Sequence, residues 1–549
     1  MNLFVRSVEP SPDIRLDNLT VVKPVMLSLF SGLLLSLAFL DANLYFLSWF
    51  AFVPLLAAIE HVSIKKSFFL GLSFGLVFYP CAAYWVVDFL ALSKDYNLAQ
   101  SILWSLIFWL YCALLPALMC SVFTLLKHRS AISEFILFPV TIVAFYAFFP
   151  MLFTVQLGES QSRFLVALQA IEFVGVYGLD LLIAVTNIFV FRLIYPQSSS
   201  QKTAYFTSSA LLICWFTYGV LANDIWQQKI DKWDTLKIGF VQPNEIPTLE
   251  KLPLYKGYSR AFPPEMDMTG RLVEAGAKLV IWPEARYKAY FDQMHVRKAY
   301  QNEVSSQNVH LMFQDIEKSP SSENAAGQFN AAVMLDDKGN LSGKYRKMKR
   351  VAFGEYVPFI SAFPAVKSLV ESFFGKFLNE IEKGESQQVF KMNGLDIIPL
   401  ICYETMFPEF VAQAAKTSNS PSILVGMSSN GWFGNTLQPY QHVYASVLRA
   451  VENRMPFVHV VNNGPSIVVL PTGKVMFETD YHQSGGYVVD VPVQSSTQSD
   501  LLTKEAGPTS FYQRYPNVLI NFICCIMLTL LLVYLTPLRQ LIAAKHDSK

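Results

Sequence analysis

Apolar positions along this chain fall into two regimes. From about residue 24 to 222, and again from 516 to 537, they run in long blocks with few charges. Between about 229 and 505 they come in short pieces that alternate with polar positions or recur at helical spacing. Blocks of about 20 apolar residues are long enough to cross a bilayer as helices. The pattern predicts eight spans, near 24–40, 43–60, 67–92, 98–126, 132–154, 164–194, 203–222 and 516–537. Nothing around the first resembles a signal-peptidase site, so it reads as a retained helix. In the polar block, branched and alternating runs predict strands at 235–242, 278–282, 309–313, 331–335, 396–401 and 422–427, with a hairpin at 458–461 and 466–470. Helical spacing marks 266–277, 442–453 and the residues after Met406. Strands that alternate with helices predict an α/β domain. Serine-rich stretches lie at 198–200 and 495–499, the second reading as a linker into the last span.

Composition agrees with a membrane protein: 52% of residues are hydrophobic, 15% are charged, and phenylalanine occurs 44 times. Most of the charge lies in the polar block, which gives three expected domains: 1–228 with seven spans, 229–505 as a catalytic domain, and 506–549 with the last span and a tail. A net charge of +1 with no basic stripe gives no nucleic-acid signature. No gly-rich phosphate loop or metal-ligand spacing occurs, so no cofactor is expected. Lys and Arg cluster before the first span (Arg6, Arg15, Lys23), after the second (Lys65, Lys66) and fourth (Lys127, Arg129), around the loop after the sixth (Arg192, Lys202), and in the tail (Arg539, Lys545, Lys549). That bias puts both termini in the cytoplasm. Seven crossings then place the polar block on the opposite face, the periplasm of a Gram-negative inner membrane. Glu159, Gln161, Gln169, Glu172 and Asp180 are polar residues in or at the mouth of a span, either functional or packing groups.

Of seven cysteines, Cys81, Cys112, Cys120, Cys214, Cys524 and Cys525 fall in apolar runs, where a thiol acts as a small hydrophobe. Cys402 alone lies in the polar block, at a strand-to-helix turn where helix N–H groups favour a thiolate. It reads either as a nucleophile or as a buried structural thiol. Two other strand ends carry chemistry. Glu284 closes Trp282-Pro-Glu284, where desolvation raises a carboxylate toward a useful base. The basic run Gly343-Lys-Tyr-Arg-Lys-Met-Lys-Arg350 offers an ammonium for a developing oxyanion, or a solvated face. His442 and His459 read as structural.

Trp282-Pro-Glu284, Tyr345-Arg-Lys347 and Cys402-Tyr-Glu404 resemble the Glu-Lys-Cys motifs of the nitrilase superfamily. More narrowly, the chain resembles the membrane-embedded branch of that superfamily, the apolipoprotein N-acyltransferases. The further matches are Phe240-Val-Gln-Pro-Asn244, Phe329-Asn330, Phe353-Gly-Glu-Tyr-Val-Pro358, Trp432-Phe-Gly434, Gln441-His442, Arg449-Ala450-x-Glu452 and Asn462-Asn-Gly464, with Phe30-Ser-Gly32, Leu157-Gly158 and Tyr177-Gly178 in the apolar part. The resemblance implies a polytopic eight-span helical domain plus an α-β-β-α sandwich. It implies Cys402 as nucleophile, Glu284 as general base and Lys347 as oxyanion stabiliser. Glu355 and Glu404 would support them, and Tyr403, Asn330 and Trp432 would line the acyl or head-group site. The implied reaction moves an acyl chain from a phospholipid, phosphatidylethanolamine at sn-1, through a thioester to the α-amine of a diacylglyceryl-cysteine apolipoprotein, in a monomer set in the bilayer. The alternative is a membrane-anchored amidase or hydrolase, or an acyltransferase with another acceptor. The chain departs from the family pattern at Ala352, Asn430, His459 and Pro465.

Overall fold

The computed structural model describes residues 19–196, 201–247, 253–318, 327–352, 354–356, 381–494 and 510–535. The serine-rich stretches and the terminal cations Arg6, Arg15, Arg539, Lys545 and Lys549 lie outside the described residues.

Among the described residues, five helices are long and apolar enough to cross a bilayer: Val22–Leu40, Ala42–Ile59, Leu98–Arg129, Ile171–Ile194 and Lys202–Ile230. The span expected at 67–92 is instead two helices, Ile64–Ala82 and Val86–Lys94, bent by 57°. Pro80 sits one turn before the break, and a proline removes a helix N–H and crowds the preceding turn. Counting that pair as one span gives six. The segments expected at 132–154 and 516–537 form the shorter helices Glu134–Phe148 and Val518–Leu535. The first of these stops at Phe149, which is extended at ψ 127 because a residue before proline avoids the helical region. Helices pack closely where glycine allows it: a Cβ on Gly32 would lie 2.5 Å from the Phe74 carbonyl. Lys127 and Arg192 do not stand as free cations. Arg192 pairs with Glu134 and with Glu60 at 2.8 Å, and Lys127 pairs with Glu60 at 2.7 Å.

The polar block folds as two six-stranded sheets. The strands in chain order are β1 (Asp234–Gln242), β2 (Leu279–Ile281), β3 (His310–Lys318), β4 (Gln328–Leu335), β5 (Leu341–Arg346), β6 (Phe390–Met392), β7 (Leu395–Ile401), β8 (Ser422–Ser428), β9 (Phe457–Val461), β10 (Ile467–Val469), β11 (Val475–Glu478) and β12 (Gly485–Val493). One sheet runs β12-β1-β2-β3-β4-β5 and the other β11-β10-β9-β8-β7-β6. The expected hairpin is the antiparallel β9–β10 pair. Alternation along each strand sets the layers. Ile238, Phe240, Ile281 and Met334 of the first sheet meet Ile397, Ile401, Val425 and Val460 of the second in one buried core. The outer face of the first sheet is covered by helices Pro264–Glu274 and Met294–Gln307, through Val280, Trp282, Leu311 and Phe313. On the second sheet Ile398, Leu400 and Leu424 point the other way. They pack with helices Pro408–Lys416 and Gln438–Asn453 into the same apolar cluster as the membrane-type helices. The α-β-β-α sandwich therefore rests on the helical bundle through its second helix layer.

Polar groups inside the bundle join the two parts. Arg454 donates to Gln169 Oε1 at 2.8 Å, the Gln169 carbonyl at 2.9 Å and Glu172 Oε1 at 2.7 Å. Gly175, at φ +66, interrupts helix Ile171–Ile194, and the Val176 N–H donates to Glu452 Oε1 at 2.8 Å. A Cβ at Gly175 would also clash with the Tyr512 ring. Gln161 and Asp180 are held within the bundle: Gln161 bonds Trp49 Nε1 at 2.8 Å, and Asp180 accepts from the Gly158 N–H at 2.6 Å. Glu159 accepts from the Gln156 N–H at 3.3 Å, so all five of these polar groups have partners.

Candidate active site

Three chain segments leave the sheets at one end and converge. Glu284 lies just past β2, behind Trp282, whose buried Nε1 donates to Thr269 Oγ1 at 2.9 Å. Lys347 follows β5, and its N–H continues the ladder to the Asn330 carbonyl at 2.8 Å. Cys402 follows β7 and opens the 3-10 helix Cys402–Met406 with φ 52. A positive φ is uncommon for a residue with a side chain, and it projects Cys402 out of the strand line.

The side chains are tied by a short set of bonds. Asn330 Nδ2 donates to Glu284 Oε1 at 2.7 Å, and Gln314 Nε2 fixes Asn330 Oδ1 at 2.8 Å. The Cys402 thiol lies beside the Glu284 carboxylate and favours its charged form. Lys347 Nζ bonds Glu355 Oε1 at 2.7 Å, while the other Glu355 oxygen accepts from the Val351 N–H at 2.8 Å. Glu404 stands behind the site, fully buried. Its Oε1 accepts from Tyr345 OH at 2.7 Å, Met348 N at 2.6 Å and Lys349 N at 3.0 Å, and its Oε2 from Ile401 N at 2.8 Å. It therefore staples the loop that carries Lys347 to the strand end that carries Cys402.

Burial raises the pKa of Glu284, and Glu355 adds to this, while Lys347 and Asn330 act against it. Burial alone would lower Lys347, but Glu355, Cys402 and Glu284 outweigh it and hold the ammonium form. For Cys402, burial and then Glu284 raise the pKa, against Lys347 and the Tyr403 N–H. The helix-favoured thiolate expected from sequence is thus a neutral thiol at rest. The helix it opens is one short 3-10 turn, and the carboxylate beside it disfavours a second negative charge.

Cys402, Glu284, Lys347, Glu355, Asn330, Tyr403 and Trp432 all line one cavity of about 600 Å³, whose opposite wall is Phe78, Tyr79, Trp85, Phe89 and Phe153 of the helical bundle. Glu404 does not line it. The remaining cations of 344–350 face away: Lys344 and Arg346 each bond Glu317 at 2.7 Å, Lys349 lies over Phe407, and Arg350 donates to the Ile381 carbonyl at 2.8 Å. Sequence reasoning missed the aromatic wall, although its signal was the Trp432-Phe-Gly434 motif: Phe433 stacks on Phe89 at 5.3 Å and meets Trp85 edge-on at 5.2 Å. Tyr403 reaches the same wall, donating to the Leu152 carbonyl at 2.8 Å. It also read His442 as structural only, yet His442 lines the cavity and meets the Cys402 carbonyl at 3.2 Å. His459 is structural, buried between Ser428 at 2.7 Å and Ser446 at 2.9 Å.

Comparison with known proteins places both halves. Residues 31–189 match the family described as apolipoprotein N-acyltransferase N-terminal domain, and residues 256–499 match carbon-nitrogen hydrolase. The chain is thus a carbon-nitrogen hydrolase-type enzyme carried on a bundle of apolar helices. An apolipoprotein N-acyltransferase of Geobacter metallireducens is 27% identical over 90% of this chain and 92% of its own. One of Chlorobaculum tepidum is 26% identical over 86% and 91%, and one of Rickettsia prowazekii 27% identical over 57% and 60%. Along both of its parts the chain is similar to apolipoprotein N-acyltransferases. Among solved structures, an amidase from Nesterenkonia sp. covers 48% of this chain and 92% of its own at 19% identity, with a TM-score of 0.35.

Proposed function

We propose that this protein transfers a fatty acyl chain from a phospholipid, phosphatidylethanolamine at its sn-1 ester, to the N-terminal amine of a diacylglyceryl-cysteine apolipoprotein. The observation that carries this reading is the shared cavity: the Cys402–Glu284–Lys347 group faces a wall of membrane-type helices, so a lipid ester can reach the sulfur without leaving an apolar surface.

Glu284 takes the Cys402 proton, and the thiolate attacks the ester carbonyl. Lys347 stabilises the oxyanion that develops, in a site where water screens little. The tetrahedral adduct collapses as Glu284 returns the proton to the leaving lysophospholipid oxygen, and a thioester on Cys402 remains. The neutral α-amine of the acceptor then attacks the thioester, Glu284 takes the amine proton, and the amide forms as Cys402 leaves and is reprotonated. Glu355 holds Lys347 in place, Asn330 orients Glu284, and Tyr403 and Trp432 border the acyl or head-group site.

The same proposal assigns residues 1–228 and 506–549 to the membrane with eight spans, and 229–505 to the periplasmic side of a bacterial inner membrane, with both termini cytoplasmic and the chain monomeric. The cation bias of the short loops supports the orientation. The decisive experiment is peptide mass spectrometry on protein incubated with phosphatidylethanolamine vesicles. A hydroxylamine-labile acyl mass on the Cys402 peptide, absent in Cys402→Ala, is expected. A bare thiol with release of free fatty acid would instead identify a hydrolase.

A further inference from the structure

The peptide between Cys402 and Tyr403 is held at its carbonyl end. Its N–H, on Tyr403, is next to the Cys402 sulfur and favours the thiolate. Its carbonyl, on Cys402, meets His442 Nε2 at 3.2 Å and accepts from Thr405 Oγ1 at 3.2 Å. A peptide unit is planar, with its C=O and N–H pointing opposite ways, so fixing one fixes the other. The left-handed φ of Cys402 is maintained only by such surrounding contacts.

We propose that His442 is a positioning residue for the nucleophile: by holding the Cys402 carbonyl it aims the Tyr403 N–H at the sulfur and so sets how readily the thiolate forms. The proposal rests on Cys402 being the reacting thiol, and goes beyond it by giving a role to a residue on another element, helix Gln438–Asn453. A carbonyl only accepts, so the contact puts the imidazole proton on Nε2. Nδ1 lies 2.8 Å from Asn430 Oδ1, and the Asn430 nitrogen reaches the Pro439 carbonyl at 3.5 Å; with the proton on Nε2, the amide turns to donate to Nδ1 and gives up that longer contact. Donation to the carbonyl also polarises the peptide and strengthens its N–H as a donor. Simple cavity filling does not require this: His442 is 4% exposed, and both ring nitrogens have polar partners.

The charged and titratable groups facing Cys402 are Glu284, Lys347 and Glu355; those facing His442 are Lys347 and, edge-on at 5.2 Å, His459. Burial pushes the His442 pKa down to about 4, with Lys347 adding to the effect and the Cys402 carbonyl opposing it. The ring is therefore a neutral donor across the working range and takes no part as a base.

The test uses the full chain in detergent or nanodiscs and measures the rate of Cys402 alkylation by iodoacetamide against pH, together with acyl-adduct formation from phosphatidylethanolamine vesicles. In His442→Leu the alkylation profile is expected to move up by about one pH unit, roughly a tenfold slower rate at a fixed pH below the midpoint. His442→Gln, whose amide N–H reaches the same carbonyl, restores the profile to within about twofold. A His442→Leu profile that superimposes on wild type overturns the proposal. So does a His442→Gln variant as slow as the leucine variant, since a lost shape would then account for the effect. If His442→Leu does not fold, Thr405→Val decides: a smaller shift in the same direction supports the proposal, and an unchanged profile overturns it. Wild-type protein that alkylates normally but never carries an acyl adduct removes the acyl-enzyme reading and leaves the alkylation test standing.

Discussion

Replacing Glu404 with glutamine tests whether the site is assembled by one buried carboxylate. Glu404 is inaccessible to solvent and accepts from four donors among the described residues. All four neighbours donate, so the group that suits them is an acceptor with two oxygens. A glutamine side chain has one. If its oxygen takes the place of Oε1 it keeps Tyr345, Met348 and Lys349, and its NH2 then faces the Ile401 N–H with no acceptor between them. The loss is one charge-assisted bond, about 1.5–3 kcal/mol, plus a buried donor left unsatisfied, about 1–3 kcal/mol. These terms overlap, and a total of about 3–5 kcal/mol follows. At about 2–4 °C per kcal/mol for a domain of this size, the thermal midpoint of Glu404→Gln falls by about 10 °C. The measurement is intrinsic fluorescence against temperature in detergent, with the acyl-adduct rate measured well below the transition. The adduct rate falls at least about tenfold, because the bonded Ile401 and Met348 are each one residue from Cys402 and Lys347 and a displacement of about 1 Å costs as much. A glutamine variant that melts within about 2 °C of wild type and acylates at the wild-type rate refutes the reasoning.

Other outcomes follow from the same contacts. As the proposed general base, Glu284 works only as a carboxylate, and burial raises its pKa above the ordinary carboxylate value; adduct formation by wild type is therefore expected to fall as pH drops through a midpoint above that value, whereas Glu284→Gln is slow at every pH. The raised value also means that ionised Glu284 costs stability above that midpoint, so Glu284→Gln melts at or above wild type at neutral pH. His442 has the opposite sign: the unfolded chain protonates it below about 6.5, the folded chain only near 4, so stability is lost as pH falls through that window, by about 3 kcal/mol. His442→Gln removes that part of the pH dependence of melting. Arg454→Met removes the guanidinium from Gln169 and Glu172 and leaves the buried Glu172 carboxylate without its cation, with Tyr218 OH as its remaining donor, at a cost of about 3–5 kcal/mol; a melting point unchanged in this variant would show that the seam between bundle and sandwich does not depend on it.

How far the sequence could be read depended on whether a local pattern or a long-range contact decided the element. β1, β7 and β8 lie where their branched runs place them, because a strand buried on both faces is nearly continuous in apolar residues. β5, β6, β11 and β12 escaped: β5 reads Leu-Ser-Gly-Lys-Tyr-Arg and β12 opens on two glycines and carries an aspartate and a proline at an edge, so their strand signal is broken and pairing with β4 and β1 determines β5 and β12. Three site residues were legible for a different reason. Glu284, Lys347 and Cys402 each follow a strand, and strands of one sandwich that end on the same side bring their next residues together. What could not be read is the second half of the cavity. Phe89 and Trp85 lie on a helix pair whose bend turns an expected straight span toward the sandwich, and only the three-dimensional packing of Phe433 against them shows why. The same packing gives the bend a role. A straight helix through 67–92 would not carry Trp85 and Phe89 to the wall of the cavity that also holds Cys402, and the sulfur would lose that part of its apolar surroundings.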